Sequence, residues 1–177
     1  FSISAGTEKT YKKIHCGKDG DLQRVFDNIK YAAELKRKRG LKTVLGVQIV
    51  MTPETEDEIL ILAREVKNLG ADLFSVKTVG YNPLAVQYKD KVADMAKSKS
   101  EVLEQQLKEL SDEKFTAVYR GNRAHAMITE RGYTACHAAP FYGCIDSDGI
   151  VYPCCNFIGI EHMALGNINE QSFVEIW

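Results

Sequence analysis

Apolar residues in the first 120 positions follow two spacings, one typical of amphipathic helices and one typical of buried strands. From Asp21 the apolar side chains recur every three or four residues until Gly40, which predicts a helix that ends at a glycine. A second helix is predicted to begin with Thr52 as the N-cap and Pro53 at the first helical position, and to end at Gly70. Both helices should bury one face against a neighbouring layer.

Short runs rich in β-branched and aromatic residues separate the helical segments. Their nearly continuous apolar character is typical of strands that are buried on both faces. A polar helix is also predicted after residue 83, ending near Leu110. The four predicted strands are residues 1–4, 42–50, 72–79 and 115–120. Because strands and helices alternate, the pattern predicts an α/β fold with a parallel sheet and right-handed crossovers.

The pattern changes after residue 120, where the helical periodicity ends and a β-hairpin is predicted. Residues 141–154 form two short apolar runs around the turn at 146–149, in which Gly149 can take the positive φ of a tight turn. Four of the chain's five cysteines lie in or beside this hairpin: Cys136, Cys144, Cys154 and Cys155.

Charge and composition exclude some classes of function for this sequence. The 23 Lys and Arg nearly balance the 24 Asp and Glu, so no overall field favours a nucleic acid or an anionic membrane. The sequence has neither an apolar stretch of membrane-spanning length nor a signal peptide, which predicts a cytoplasmic, reducing location. In such a compartment clustered cysteines indicate metal binding or catalysis rather than disulfides. Phosphate-binding loops and serine-hydrolase elbows are absent from the sequence.

Thiols on the two arms of a hairpin can converge on one metal centre. Thiolates select zinc, copper(I) or iron-sulfur clusters. A structural zinc site more usually shows Cys-x-x-Cys pairs, and the hairpin has none. The neighbours Cys154 and Cys155 should point in different directions if the chain is extended there, so one of them is expected to face the centre. Spacing alone leaves an iron-sulfur cluster, zinc and buried free thiols open.

The cysteine spacing resembles the auxiliary-cluster region, SPASM or twitch, of radical S-adenosylmethionine enzymes. In that family the region opens with a cysteine, nine to fifteen residues, a glycine, four residues and another cysteine, and Cys136, Gly149 and Cys154 fit this order. The segments 165–168 and 172–177 then follow in the family's usual order.

The upstream residues resemble the same family. Residues 2–15 resemble its strand and loop after the glycine-rich cofactor motif, and residues 46–77 resemble its next strand, helix and strand. The resemblance implies that residues 1–122 are the later part of a partial parallel β/α (TIM-like) barrel and that 123–177 begin the auxiliary domain. The family's Cys-x-x-x-Cys-x-x-Cys loop is not among these residues. We therefore expect a piece of a longer protein, with that loop before Phe1 and further auxiliary ligands after Trp177.

The resemblance also implies a function. Such an enzyme, an oxidoreductase or maturase, takes an electron from a reducing donor and forms a 5'-deoxyadenosyl radical from S-adenosylmethionine. The radical abstracts a hydrogen atom from a peptide or small-metabolite substrate. The implied cofactor-binding residues are Ser2, Ser4 and Gln48. The implied ligands of an auxiliary 4Fe-4S cluster are Cys136, Cys144 and Cys154.

Two other interpretations stay open. In the first, the hairpin is a zinc-bound structural or interaction module on a non-catalytic α/β domain, which the missing three-cysteine loop favours. In the second, the chain is a barrel-type lyase with free thiols.

Overall fold

The computed structural model describes residues 1–79, 100–121 and 132–177. These residues fall into two compact units, one built from 1–79 and 100–121 and the other from 132–177. The predicted domain boundary at 122 and 123 lies outside the described residues, and it stays a prediction.

The first unit alternates helices and strands, as predicted. The elements in chain order are α1 (Glu8–His15), α2 (Asp21–Lys38), β1 (Gly46–Met51), α3 (Ile59–Asn68), β2 (Leu73–Thr78), α4 (Ser100–Leu110) and β3 (Thr116–Arg120). The strands form one sheet in the order β1, β2, β3, and both neighbouring pairs are parallel. The parallel α/β architecture is therefore confirmed for this unit. The part of the polar helix predicted before residue 100 lies outside the described residues.

The strand predicted at residues 1–4 is reduced to a single parallel bridge between Ser2 and Gln48 on the free edge of β1. Two backbone hydrogen bonds hold it: Ile3 N donates to Gln48 O and Gln48 N donates to Phe1 O, both at 2.9 Å. The first residues therefore continue the sheet in chain order without forming a full strand.

The predicted helix start at Thr52 and Pro53 is wrong. Thr52 N donates to Thr55 Oγ1 at 2.8 Å, and Thr55 N donates back to Thr52 O at 3.0 Å, which closes a tight turn. A short 3-10 turn, Glu56–Glu58, follows before α3 begins at Ile59. The threonine hydroxyl satisfies backbone groups locally, and this competes with helix formation.

The helices cover one face of the sheet, and alternation along the strands decides which side chains reach them. The buried strand residues on the helix face are Val47, Ile49, Met51, Phe74, Val76 and Ala117. Their partners from α2, α3 and α4 include Phe26, Ile29, Leu62, Val66 and Leu107. The opposite face, here called the inner face, carries Gln48 and Val50 from β1, Ser75 and Lys77 from β2, and Val118 and Arg120 from β3.

A carboxylate from the chain after β1 holds the start of α1. Glu58 accepts hydrogen bonds from the N–H groups of Gly6 (2.7 Å) and Thr7 (3.0 Å) and from the hydroxyls of Thr7 (2.7 Å) and Thr10 (2.6 Å). Partial burial acts to raise the pKa of Glu58, but these hydrogen bonds outweigh it, so that pKa lies below its usual value. Glu58 thereby fixes the loop after the first residues of the chain.

Replacing Glu58 by Gln should lower the free energy of unfolding at neutral pH. It should also make that free energy less dependent on pH in the acidic range. A carboxyl with a lowered folded pKa stabilises the native state fully above its unfolded pKa of about 4.3. That contribution is lost as the pH falls through the folded pKa, because both states are then protonated. Urea unfolding at pH 7, 4 and 3 should show the difference between wild type and Glu58→Gln shrinking as the pH falls.

The matched control is Glu34→Gln on α2, which changes an exposed glutamate. This variant should follow the wild type at every pH. A difference between Glu58→Gln and wild type that grows on acidification would contradict the assignment.

The second unit is a small antiparallel sheet followed by a helical turn. Its elements are β4 (Cys144–Ile145), β5 (Ile150–Tyr152), β6 (Gly166–Asn167) and α5 (Phe173–Ile176), and the strand order is β4, β5, β6. The predicted hairpin is confirmed, with Cys144 opposite Tyr152 in the ladder. Val151 and Tyr152 are its buried side chains.

Within the described parts of the chain, every helix is too short or too polar to cross a lipid bilayer.

Candidate functional site

The hairpin turn is held by one aspartate and one glycine. Asp146 Oδ1 accepts from the N–H groups of Asp148 and Ile150, both at 2.9 Å, and Asp146 N donates to Ile150 O at 3.0 Å. Gly149 follows with φ of 83°, in the left-handed region that the sequence predicted for it. The turn is therefore specified by the Asp146 side chain and by a glycine at 149.

Two asparagines that follow the hairpin in sequence stabilise the same turn by hydrogen bonds from their side chains. Asn167 Nδ2 and Asn169 Nδ2 each donate to Asp148 O at 3.1 Å. A Cβ atom at Gly149 would stand 2.3 Å from Asn169 Nδ2 and 2.7 Å from Asn167 Oδ1. Glycine is thus required here both for backbone conformation and for space.

Gly149→Ala should therefore destabilise the second unit by about 1–3 kcal/mol, the usual cost of a strained backbone conformation. Trp177 is the chain's single tryptophan and lies in this unit, where its ring stacks on Phe173. Urea unfolding followed by tryptophan fluorescence should show an earlier transition for the variant.

Gly132→Ala is the control, because Gly132 has no atom within 4 Å of the added methyl group and is not among the residues with positive φ. Its transition should stay close to that of the wild type. Equal transitions for Gly149→Ala and wild type would refute the role of this glycine.

All five cysteines are free thiols. Cys144 and Cys154, which are predicted ligands, are half-buried, whereas Cys136, the third predicted ligand, is exposed. The backbone is extended at Cys154, and Cys155 opens a 3-10 turn, Cys155–Phe157. The vicinal pair thus marks a change of backbone conformation.

A tyrosine hydroxyl lies beside one of these thiols. Cys144 Sγ is 3.6 Å from Tyr142 Oη. Hydrogen bonding to Cys144, and then to Cys155, raises the pKa of Tyr142 to about 12. Cys155 therefore shares a polar partner with Cys144, a grouping that the sequence did not reveal. No sequence signal links Tyr142 to Cys155, because their contact depends on the hairpin closing.

In the described residues, histidine, cysteine and carboxylate side chains nowhere form a group of three or more that could hold a metal ion. The soft thiol donors that an iron-sulfur cluster needs are present around one hairpin, but they are not gathered into a complete ligand set. The assignment of Cys136, Cys144 and Cys154 as ligands stays a prediction.

The residues predicted to bind a cofactor lie in the first unit, on and beside the inner face. Gln48 Nε2 is 3.4 Å from Ser2 Oγ across the bridge that joins them. Ser4 is half-buried, and its N–H donates to His15 Nε2 at 3.1 Å. Because Ile3 and Ala5 are buried and Ser2 and Ser4 alternate with them, the two serines share a side of the chain. Their role as cofactor-binding residues stays a prediction.

The structure adds residues to this part of the molecule that sequence analysis missed. A cleft of about 330 Å³ is lined by Ser2 and Gln48 together with Ser75 and Arg120. The sequence did contain one signal for this face: the two polar residues Ser75 and Lys77 alternate with apolar residues in the same strand. This alternation indicates that one face of the sheet is polar.

Residues 136–177 match the model of the SPASM family, described as an iron-sulfur cluster-binding domain. These 42 of the chain's 177 residues are called the SPASM segment below. The SPASM segment begins at Cys136 and contains the hairpin, the two asparagines that stabilise its turn, and α5.

The whole chain is also similar in fold to SuiB from Streptococcus suis. It superposes on SuiB bound to S-adenosylmethionine with a TM-score of 0.63 and 18% identity. For SuiB bound to precursor peptide SuiA the TM-score is 0.59, also with 18% identity. Each comparison covers 100% of this chain and 41% of SuiB, so the chain spans less than half of that protein's length.

No curated protein matches the chain significantly in sequence. The SPASM match and the fold of SuiB together confirm the resemblance to radical S-adenosylmethionine enzymes with a SPASM domain. At this level of identity, the likeness to SuiB carries information on the fold alone.

Proposed function

We propose that this chain is part of a radical S-adenosylmethionine enzyme that modifies a peptide, with an auxiliary cluster held by the SPASM segment. The observation that carries the proposal is the SPASM match over residues 136–177, on a hairpin that carries four free thiols. The fold of the whole chain, similar to that of SuiB, supports it. SuiB binds S-adenosylmethionine and the precursor peptide SuiA, which favours a peptide among the substrates expected from the sequence.

The first unit serves as the later part of a partial β/α barrel in this proposal. Its strands follow one another in chain order, all parallel, with helices on one face. A barrel built by continuing this sheet would enclose the inner face, and its C-terminal strand ends would form the mouth of the site.

The proposed ligands of the auxiliary cluster, of the 4Fe-4S type, are Cys136, Cys144 and Cys154. The hairpin positions Cys144 at the start of β4, opposite Tyr152, while Cys154 follows β5 closely. The two arms thus carry thiols toward one end of the hairpin. The Cys144 thiol donates a hydrogen bond to the Tyr142 hydroxyl at 3.6 Å, so a polar group lies beside this proposed ligand.

The proposed cofactor site uses Ser2, Ser4 and Gln48 as hydrogen-bonding groups. A catalytic cluster with bound S-adenosylmethionine would supply the radical chemistry for hydrogen-atom abstraction, and the cysteine loop that would hold this cluster is not among these residues. The chain's own part is to orient the cofactor and to keep the substrate carbon close to it. Five unpaired thiols suit a reducing compartment such as the cytoplasm, where a reducing electron donor is also at hand.

Anaerobic reconstitution of the full protein with iron and sulfide tests the proposal. We expect iron bound in the SPASM segment and broad visible absorption, because thiolate-bound iron-sulfur clusters are coloured. S-adenosylmethionine should then be cleaved to 5'-deoxyadenosine on reduction. A colourless protein that binds zinc at the hairpin would instead support the structural or interaction module.

A further inference from the structure

We infer that the inner face of the first unit holds a carboxylate-binding site formed by Lys77 and Arg120, which selects peptides with an acidic side chain. This inference deepens the proposed function, because it names the class of peptide, and it rests on the peptide substrate proposed above.

The two cations are neighbours by strand register. Lys77 in β2 is the direct partner of Arg120 in the parallel strand β3. Partners in register point to the same side of a sheet, and neighbouring strands lie about 4.8 Å apart. Val76 and Ala117 belong to the helix-packed core, so alternation puts Lys77 and Arg120 on the inner face.

Neither cation has a counter-ion within the described residues. The four ion pairs found there join Lys12 to Asp19, Arg24 to Asp21, Lys36 to Asp72 and Lys67 to Asp112. Like charges directly opposite each other on neighbouring strands are destabilising. A half-buried lysine beside an arginine, neither of them paired with a carboxylate of the described residues, leaves a positive charge on this face that a bound anion would balance.

Hydrogen-bonding groups lie beside Arg120. Arg120 lines a cleft of about 330 Å³ whose other polar side chains are Ser2, Gln48 and Ser75, and no acidic side chain is among its described lining residues. Lys77 lies next to this cleft by register but does not line it. Ser75 is 5% exposed although its neighbours on the inner face are more accessible. A hydroxyl, an amide and a guanidinium thus face the same space.

A carboxylate fits these groups well. The planar fork of a guanidinium matches two carboxylate oxygens, while an ammonium acts as a point charge beside them. The cations also stand at the C-terminal ends of β2 and β3, the edge of a parallel sheet where ligands bind. In a peptide, groups of this shape are the side chains of Asp and Glu and the C-terminal carboxylate, and the test below uses amidated peptides so that only the side chain carries one.

The test compares two peptides and three single variants of the full protein. The probes are N-acetyl-Gly-Glu-Gly-amide and its Gln counterpart, measured by calorimetry at low salt. We expect the wild type to bind the Glu peptide more tightly. Lys77→Gln and Arg120→Gln should each reduce that preference by roughly tenfold, the usual effect of losing one charge-assisted hydrogen bond. Arg64→Gln, an exposed arginine on α3, is the matched control and should keep the preference.

Charge reversal gives a second, independent readout. Arg120→Glu should favour a Lys-containing tripeptide over the Glu peptide. An unchanged preference in all variants, or a wild type that does not distinguish the Glu and Gln peptides, would overturn the inference. Loss of S-adenosylmethionine affinity in Arg120→Gln with the peptide preference intact would also overturn it, because the cations would then serve the cofactor's carboxylate.

The same samples separate this inference from the proposed function. Iron content reports on the SPASM segment, and the peptide preference reports on the inner face. A protein that binds zinc instead of iron would refute the proposed function, while its peptide preference would still decide the inference.

Discussion

Cys154→Ala in the full protein should abolish the iron signal of the auxiliary cluster. Cys154 completes the Cys136, Gly149 and Cys154 spacing, and it directly follows the arm that ends near Tyr152. An iron-sulfur cluster loses a covalent ligand when such a thiolate is removed, and a methyl group cannot replace it. Iron per chain and the electron paramagnetic resonance signal of the reduced protein would measure the loss.

Cys155→Ala is the matched control, since it removes the adjacent thiol and leaves the chain otherwise the same. It should keep most of the auxiliary iron. The two positions differ in backbone conformation, because Cys154 is extended and Cys155 begins the 3-10 turn Cys155–Phe157. Equal iron loss in both variants would show that the vicinal pair is wrongly assigned. Full iron retention in both would remove the hairpin from the cluster site.

Leu62→Ala should have the largest effect on stability among the substitutions considered for the first unit. Leu62 on α3 is 0% exposed and belongs to the core between the helices and the sheet. Truncating a buried leucine removes transfer free energy and leaves a cavity, which together cost about 2–5 kcal/mol. Chemical unfolding followed by circular dichroism should show a transition at a lower urea concentration.

The preceding residue provides the control. Ile61 on the same helix is 50% exposed, and alanine is the better helix former, so Ile61→Ala should cost about 1 kcal/mol or less. Similar losses for the two variants would contradict the packing described for α3.

β1, β2 and β3 were predictable because each is rich in β-branched and aromatic residues, and alternation with helices then predicted the parallel pairing. The start of α3 was predicted wrongly, because Thr52 and Pro53 form a good helix start by local rules. In the structure the Thr55 hydroxyl instead accepts from Thr52 N and donates to Val50 O, and this turn takes the place of the first helical turn.

The candidate site also has some features that the sequence predicted and others that it did not. The turn at Gly149 was predictable, because positive φ and tight turns favour glycine. The proximity of Cys144 and Cys155 to Tyr142 was not, because it follows from how the hairpin closes. Lys77 and Arg120 belong to strands that are distant in sequence, and only the register between β2 and β3 makes them neighbours.

The turn described around Asp148 has a consequence for metal binding. Asn167 and Asn169 hydrogen-bond directly to its backbone, so the chain itself supplies contacts that order the hairpin. A cluster bound at the hairpin would therefore have to offset less of the entropy cost of ordering it than in small domains that are unfolded without their metal.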